Sequence, residues 1–371
     1  MMRIGFDGKR FFHNNTGLGN YSRSLLKVLS DCFPENEYFL FNPKKTDKHT
    51  LKGFNKSVIE ILPEGFFLMK FKSLWRLTFV SKEIKKTKIS IYQGLSGEIP
   101  IGLSKDIKKI VTIHDLIFIR YPNLYSWFDR KIHFLKFKYA AEKSDVVVAI
   151  SEQTKKDIVT FFKIPEAKIK VIYQGCNQVY KQVFSEIEIE NTIRKFDLPK
   201  EYLLNVGTIE KRKNLLILLK SITGTNKNIV VIGKKTDYFK EVRHFIVANN
   251  LEKQVFFLKN LTLEEMAIVY QKSKLFVYPS IFEGFGIPII EALYSKTPVI
   301  TSTGSCFAEA GGENSIYINP EDSDELRKAI DSVWDNPTKR FEMQEKGFEF
   351  VQKFNDETIA QNWQNLYQSV L

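Results

Sequence analysis

Residues Pro279–Ser295 read PSIFEGFGIPIIEALYS. The run KLFVY at 274–278 leads in with the composition of a buried strand. A helical pattern leads out, with Pro288 where proline is tolerated, in the first turn. Strand, Gly-rich turn and helix N-terminus together aim backbone N–H groups and the positive end of a helix dipole at one spot, which suits a phosphate. Two carboxylates, Glu283 and Glu291, bracket that spot with seven residues between them. Carboxylates repel a phosphate, so their natural partners are neutral hydroxyls on either side of it. A ligand with hydroxyls flanking phosphates is a sugar nucleotide: ribose, diphosphate, hexose.

Working outward, the same alternation recurs along the chain. Apolar runs at 2–7, 38–42, 89–93, 109–113, 145–150 and 170–173 read as strands, with helical patterns among them. The series restarts at 202–206, 228–232, 255–258, 274–278, 298–301 and 316–318. Strands alternating with helices give a parallel sheet covered on both faces. Two such series in 371 residues predict an α/β protein with two Rossmann-like domains. The expected limits are 1–180 and 197–354, with a mixed linker at 176–200 and a last helix at 355–371 carrying Trp363, Leu366 and Tyr367.

Composition narrows the class. Hydrophobic content of 43% and charged content of 26% are those of a soluble globular protein. Three scattered cysteines without CxxC spacing predict free thiols in a reducing cytosol. The N-terminus MMRIGFDGKR carries Asp7 and no apolar signal core, and no run is long and apolar enough to span a bilayer. The net charge of +12 is uneven: residues 1–185 hold 32 Lys and Arg against 17 Asp and Glu, and residues 186–371 hold 23 against 26. A basic half suits an anionic partner such as a membrane surface or a phospholipid-linked substrate; a solvated lysine-rich surface is the plain alternative. Nucleic acid is not expected, since no binding module accompanies the charge. The stretch 65–88, GFFLMKFKSLWRLTFVSKEIKKTK, interleaves aromatic and basic residues. It reads as a domain helix with one buried face or as a membrane-surface segment.

Candidate site residues lie at strand ends. His114 closes the strand 109–113, where side chains of parallel sheets face a ligand crevice. Gly17 and Gly19 form a Gly-Leu-Gly loop before a helical stripe at Leu18, Tyr21, Leu25, Leu26 and Leu29. The dinucleotide fingerprint needs a third glycine, and Ser22 stands there, which argues against an NAD dehydrogenase. After strand 202–206 comes Gly207-Thr208-Ile209-Glu210-Lys211-Arg212-Lys213-Asn214, a basic helix start whose misfit with the helix dipole an anionic ligand relieves.

Glu-x7-Glu with an internal Gly-Phe-Gly resembles the retaining glycosyltransferases of family 4 (group 1), which have the GT-B fold. The resemblance covers nearly the whole chain, strongly in 201–320 and loosely before 110. It implies two facing Rossmann-like domains, an N-terminal one for the acceptor and a C-terminal one for the donor, with the final helix crossing back to the first. It implies catalytic roles for His114 and Glu283 beside the donor hexose. Gly17, Gly19, Gly207, Thr208, Arg212 and Lys213 are then diphosphate contacts. Lys213 matches the family's diphosphate lysine. The family's arginine after the glycine is replaced here by Thr208, and Arg212 stands in for it. Gly284, Phe285, Gly286 and Ile287 supply main-chain contacts to sugar and phosphate, Glu291 binds the ribose and Leu261 the base. No cofactor or metal is implied. The expected reaction is retaining transfer of a hexose by front-side attack, with the departing phosphate taking the acceptor proton. GDP-mannose is the favoured donor and a lipid-linked or glycan molecule the acceptor, in cell-surface polysaccharide synthesis. The expected location is the cytoplasm, with peripheral contact at the inner face of the plasma membrane. The alternatives are a UDP-sugar transferase or nucleotide-sugar epimerase of the same fold, and a non-catalytic sugar-nucleotide-binding subunit.

Overall fold

The computed structural model describes residues 1–64 and 75–371. The chain forms two compact units. Unit 1 is Met1–Gly175 with Phe354–Leu371, and unit 2 is Cys176–Lys353.

Among the described residues, unit 1 is built on seven strands: β1 (Arg3–Asp7), β2 (Glu37–Phe41), β3 (Val58–Ile61), β4 (Ile91–Gly94), β5 (Lys108–Ile113), β6 (Val146–Ala149) and β7 (Ile169–Val171). They pair in parallel in the order β3-β2-β1-β4-β5-β6-β7. Such sheets need cover on both faces, which explains the near-continuous apolar strands. One layer is the helix Gly17–Cys32, whose Leu25, Leu26 and Leu29 are buried with Ile4, Phe6 and Ile91. The helix Asp356–Val370 joins the same core through Ile359, Trp363, Leu366 and Tyr367. Two polar bonds set its register: Tyr367 Oη to Gln93 Oε1, and Asn36 Nδ2 to Gln364 Oε1 at 3.1 Å. The terminal helix is therefore part of unit 1.

Unit 2 carries β8 (Tyr202–Val206), β9 (Asn228–Ile232), β10 (Val255–Leu258), β11 (Leu275–Tyr278), β12 (Val299–Ser302) and β13 (Ile316–Ile318). All pairs are parallel, in the order β10-β9-β8-β11-β12-β13. Its core gathers Leu203, Val231, Val277 and Ile300 from the sheet with Leu218, Ile222, Ile330 and Val333 from covering helices.

Two features differ from the sequence reading. The edge strand β3 was not anticipated; three of its four residues, VIEI, are β-branched and favour a strand, but the run is short and only partly buried beyond Val58. The stretch expected to be a linker at 176–200 contains the helix Glu186–Phe196. Its glutamates alternate with apolar residues, which hid the helical period, and Ser185 with Glu188 closes a capping box at its start. Of the aromatic and basic stretch 65–88, residues 65–74 lie outside the described residues, while Trp75 and Arg76 are buried. Among the described residues no helix is long and apolar enough to cross a membrane.

Candidate active site

In unit 2 the strand order reverses between β8 and β11. At such a switch point the loops leaving the two strands diverge and open a crevice at their C-terminal ends. Gly207–Asn214 leaves β8 and Pro279–Gly286 leaves β11, so the two motifs singled out in the sequence meet there. The loops are stitched together. Ile281 N donates to Arg212 O at 2.8 Å, Ser280 Oγ to the same carbonyl at 3.1 Å, and Arg212 Nη1 to Phe282 O at 2.6 Å.

Glu283 lies at the centre of this junction. Its Oε1 accepts from Lys213 Nζ, from Arg212 Nη1 at 2.7 Å, from Ser280 Oγ at 2.6 Å and from Tyr278 Oη at 3.1 Å. Burial pushes the Glu283 carboxyl up, but Lys213 and Arg212 more than offset this and hold it down at about 2. It is an ionised carboxylate at any physiological pH. Burial pulls Lys213 below the ordinary lysine range, with Glu283 opposing. Arg212 is raised, because Glu283 and Glu210 outweigh its burial. The two cations are not equivalent. Arg212 is spread over Phe282 O, Glu283 and, at 2.6 Å, Glu210 Oε1, so it braces the loops. Lys213 Nζ bonds Glu283 and Tyr278 and lies 4.8 Å from the centre of the Tyr278 ring. An ammonium has three donors, so one direction remains for an anion.

Gly286 has φ of +114° and caps the helix Ile287–Tyr294, a conformation that a side chain resists. The turn before it rests on the segment after β12. Ser305 Oγ donates to Glu283 O at 3.0 Å, and Cys306 Sγ donates to Phe285 O at 2.8 Å. These bonds fix the peptide planes of residues 283–286, and with them the direction in which the helix start faces. Phe285 is buried and anchors the turn.

Glu291 is one turn into that helix. Tyr270 Oη donates to its Oε2 at 3.0 Å, and Tyr180 adds a second side-chain bond. Burial pushes this carboxyl up to about 7, against the pull of both tyrosines. The motif thus holds two carboxylates of opposite character, one locked as an anion and one poised near neutrality. Leu261 follows β10, between Asn260 in the left-handed region and the N-cap Thr262. Thr208 follows Gly207, whose N–H bonds Ile232 O at 2.9 Å.

Gly17, Gly19 and His114 belong to unit 1. Gly19 is packed so closely that an added Cβ would fall 1.9 Å from Asn14 O, whereas Gly17 faces open space. His114 is partly buried at the end of β5. Its Nε2 bonds Leu95 O at 2.9 Å, Gln174 Nε2 donates to its Nδ1 at 3.1 Å, and the Tyr21 ring meets it edge-on at 4.6 Å. Burial lowers His114 to about 4, with Arg10 adding to the shift. Both ring nitrogens have protein partners, so His114 is a neutral, oriented imidazole, its Nε2 proton committed to a carbonyl. Tyr21 ties it to the helix Gly17–Cys32, whose first turn holds Gly17 and Gly19, where the sequence reading expected a loop.

The sequence reading missed Tyr278, Ser280, Ser305 and Cys306, which hold the turn, and Tyr180 and Tyr270, which hold Glu291. Tyr278 was legible as the last residue of a strand beside the motif. Ser280, three residues before Glu283, was within the motif itself; Ser305, Cys306, Tyr180 and Tyr270 act across long separations and leave no local signal.

Two parallel-sheet units, the second with a Gly-rich turn at its switch point, have the architecture of the GT-B fold. The solved structures agree on the fold. Sucrose-phosphate synthase from Thermosynechococcus elongatus superposes with a TM-score of 0.78 at 19% identity, covering 100% of this chain and 99% of that one. Anabaena Alr3699/HepE in complex with UDP-glucose gives 0.78 at 16% identity, covering 100% of both. The family profile described as glycosyl transferases group 1 matches residues 186–350, and that of glycosyltransferase family 4 matches 34–178. Among characterised relatives, the O-antigen chain mannosyltransferase RfbU of Salmonella typhimurium is 29% identical over 70% of this chain and 67% of its own length. The O-antigen chain mannosyltransferase B of Escherichia coli is 24% identical over 89% and 90%. The chain belongs to the group 1 glycosyltransferases and is an enzyme, a hexosyltransferase.

Proposed function

We propose that this enzyme moves a hexose, with retention, from a nucleoside diphosphate sugar to a glycan or lipid-linked acceptor in cell-surface polysaccharide synthesis. Mannose from GDP-mannose is the favoured donor, in line with the O-antigen mannosyltransferases among its relatives. The observation that carries the reading is the joining of Lys213 and Glu283 at the β8/β11 switch point, beside the helix start at Gly286. The diphosphate meets Lys213 and the N-terminus of the helix, where the charge of the leaving group is stabilised as the glycosidic bond breaks. The hexose lies on the Glu283 side and the ribose on the Glu291 side. The base extends toward Leu261 after β10, about 14 Å from β11 at the ordinary spacing of strands, a distance suited to a nucleotide.

Glu283 is bonded by four donors and positions sugar hydroxyls rather than attacking the anomeric carbon. The acceptor attacks from the leaving-group side, and its proton passes to the departing phosphate. His114 is assigned a role, as a neutral imidazole, in stabilising the oxocarbenium-like state. No metal is assigned a role, and turnover is expected to survive chelation by EDTA. The test is a thermal-shift screen of the full chain against GDP, UDP and ADP and their sugars. Stabilisation by GDP and GDP-mannose supports the reading. Stabilisation by NAD alone, or by none of these, overturns it.

A further inference from the structure

His114 is held at four points by separate parts of unit 1. Its Nε2 donates to Leu95 O at 2.9 Å, just after β4, and Gln174 Nε2, just after β7, donates to its Nδ1 at 3.1 Å. Thr154 Oγ1, in the helix Glu152–Asp157, donates to its main-chain oxygen at 3.1 Å, and the Tyr21 ring stands against it edge-on. A main-chain carbonyl can only accept, so the proton of the neutral ring sits on Nε2. Nδ1 then carries a lone pair, and the group that faces it must donate. Gln174 does so through its amide N–H; an ionised glutamate of the same shape could only accept.

Gln174 is buried and has little freedom. On one side of it the Tyr173 ring meets the Phe354 ring edge-on at 5.4 Å. On the other, Gly175 runs so close to the terminal segment that an added Cβ would stand 3.0 Å from Ile359 Cδ1 and 3.1 Å from Phe354 O. The backbone is pinned on both sides, so the amide is delivered to one place. Among the described residues the Gln174 side chain makes no other hydrogen bond, so its amide is spent on His114 and not on bracing its own loop. The charged group that acts on the ring is Arg10, which disfavours a second ring proton. Tyr21 stays neutral because burial raises its hydroxyl far above the physiological range, and Asp115, next in the chain, accepts from Ile117 N at 3.0 Å. A carboxylate in place of the Gln174 amide would reverse this balance, since acceptors at both ring nitrogens call for two ring protons. On the reading above, that positive ring would lie beside an anomeric carbon that itself gains positive charge.

We propose that Gln174 is a positioning residue for the transfer reaction: together with Leu95 O it orients the His114 ring and fixes the tautomer that carries its proton on Nε2. The proposal rests on the role given to His114 in the proposed function.

The test compares the full chain with Gln174→Glu, which keeps the shape and reverses the hydrogen bond, and Gln174→Met, which keeps the length and removes it. Ring-nitrogen spectra of protein labelled with nitrogen-15 histidine read the tautomer without substrate, the His114 signals being assigned by their loss in His114→Ala. At neutral pH, wild type should carry one ring proton, on Nε2, Gln174→Glu should carry two, and Gln174→Met should mix the two tautomers. In a transfer assay at saturating donor, both variants should lower kcat at least about tenfold while GDP binding in unit 2 stays as in wild type. Gln174→Glu should add a limb on which kcat recovers as pH rises and the extra proton leaves. Wild type, whose ring stays neutral down to about 4, should show no such limb near neutrality. A residue that acts through His114 should also cost nothing more once His114 is gone, so Gln174→Met in the His114→Ala background should match His114→Ala alone. Three results overturn the proposal: a singly protonated ring in Gln174→Glu, unchanged kcat in both variants, or the same loss from Gln174→Met with and without His114. If wild type transfers no sugar, the proposed function fails, and the ring-nitrogen spectra by themselves decide whether Gln174 sets the tautomer.

Discussion

At the scale of single residues, the site is organised by which carboxylate keeps its charge. Glu283 is ionised because Lys213 and Arg212 overcome its burial, and Glu291 is near neutrality because two tyrosines only partly do so. Removing Lys213 takes away a counter-charge for Glu283 and, on the proposed reading, the partner of the donor phosphate. Lys213→Ala is expected to weaken donor diphosphate binding at least about a hundredfold, since deleting one partner of a buried charge pair costs about 2–5 kcal/mol; calorimetry with GDP checks it. Glu291 makes a pH prediction with a definite sign. Its folded pKa, about 7, lies above the ordinary 4.5. Its proton therefore favours the folded state fully below the unfolded value, and that contribution is lost as pH rises through about 7. Binding of a ribose diol needs the opposite form, the acceptor carboxylate. GDP affinity should therefore gain a component that rises as pH climbs through that value. The diphosphate titrates too, so the measure is the difference between wild type and Glu291→Gln, which keeps the phosphate titration and lacks the carboxylate. Parallel pH profiles for the two proteins would remove Glu291 from the ribose.

At the scale of elements, the turns that present these residues were more legible than the bonds that hold them. The Gly-Phe-Gly stretch and the basic GTIEKRKN segment stood out because turn glycines and clustered cations are local signals. Ser305 and Cys306, which fix the turn from the next strand's loop, were silent, as were Tyr180 and Tyr270 beneath Glu291. A hydrogen bond across such separations depends on the packing of helices that sequence pattern does not specify. The helix Glu186–Phe196 was missed for a different reason: its strict alternation of glutamate and apolar residues imitates a period of two. The Gly-Leu-Gly stretch, the first turn of the helix Gly17–Cys32, shows the opposite limit, since its two glycines look alike in sequence and differ in space. Gly19→Ala should cost about 1–3 kcal/mol, because its Cβ would meet the Asn14 carbonyl at 1.9 Å. Gly17→Ala should stay within about 0.5 kcal/mol of wild type. Urea unfolding of both variants tests this, and equal losses would mean this helical turn is not packed as described.

At the scale of the whole molecule, the repeated strand–helix series made the two-unit α/β plan readable, because each series must bury a parallel sheet of its own. The place of the terminal helix was legible through its apolar residues, and the structure puts them in the unit 1 core with Trp363 and Tyr367 fully buried. Trp363→Ala is expected to destabilise unit 1 by about 3–5 kcal/mol, read as an earlier unfolding transition. What decides the account, though, is the direction in which the donor lies across the turn in unit 2. The free diphosphate has the ribose and lacks the hexose, so it separates the two carboxylates. The decisive measurement is calorimetric titration of GDP into Glu283→Gln and Glu291→Gln, paired with a transfer assay. Losing a ribose contact should mainly weaken binding, by roughly 1–3 kcal/mol, and losing a hexose contact should fall on kcat. Glu291→Gln is therefore predicted to bind GDP more weakly, and Glu283→Gln to bind it nearly as wild type while transfer falls steeply. Abolished GDP binding in Glu283→Gln with intact binding in Glu291→Gln would contradict the account and reverse the donor across the site.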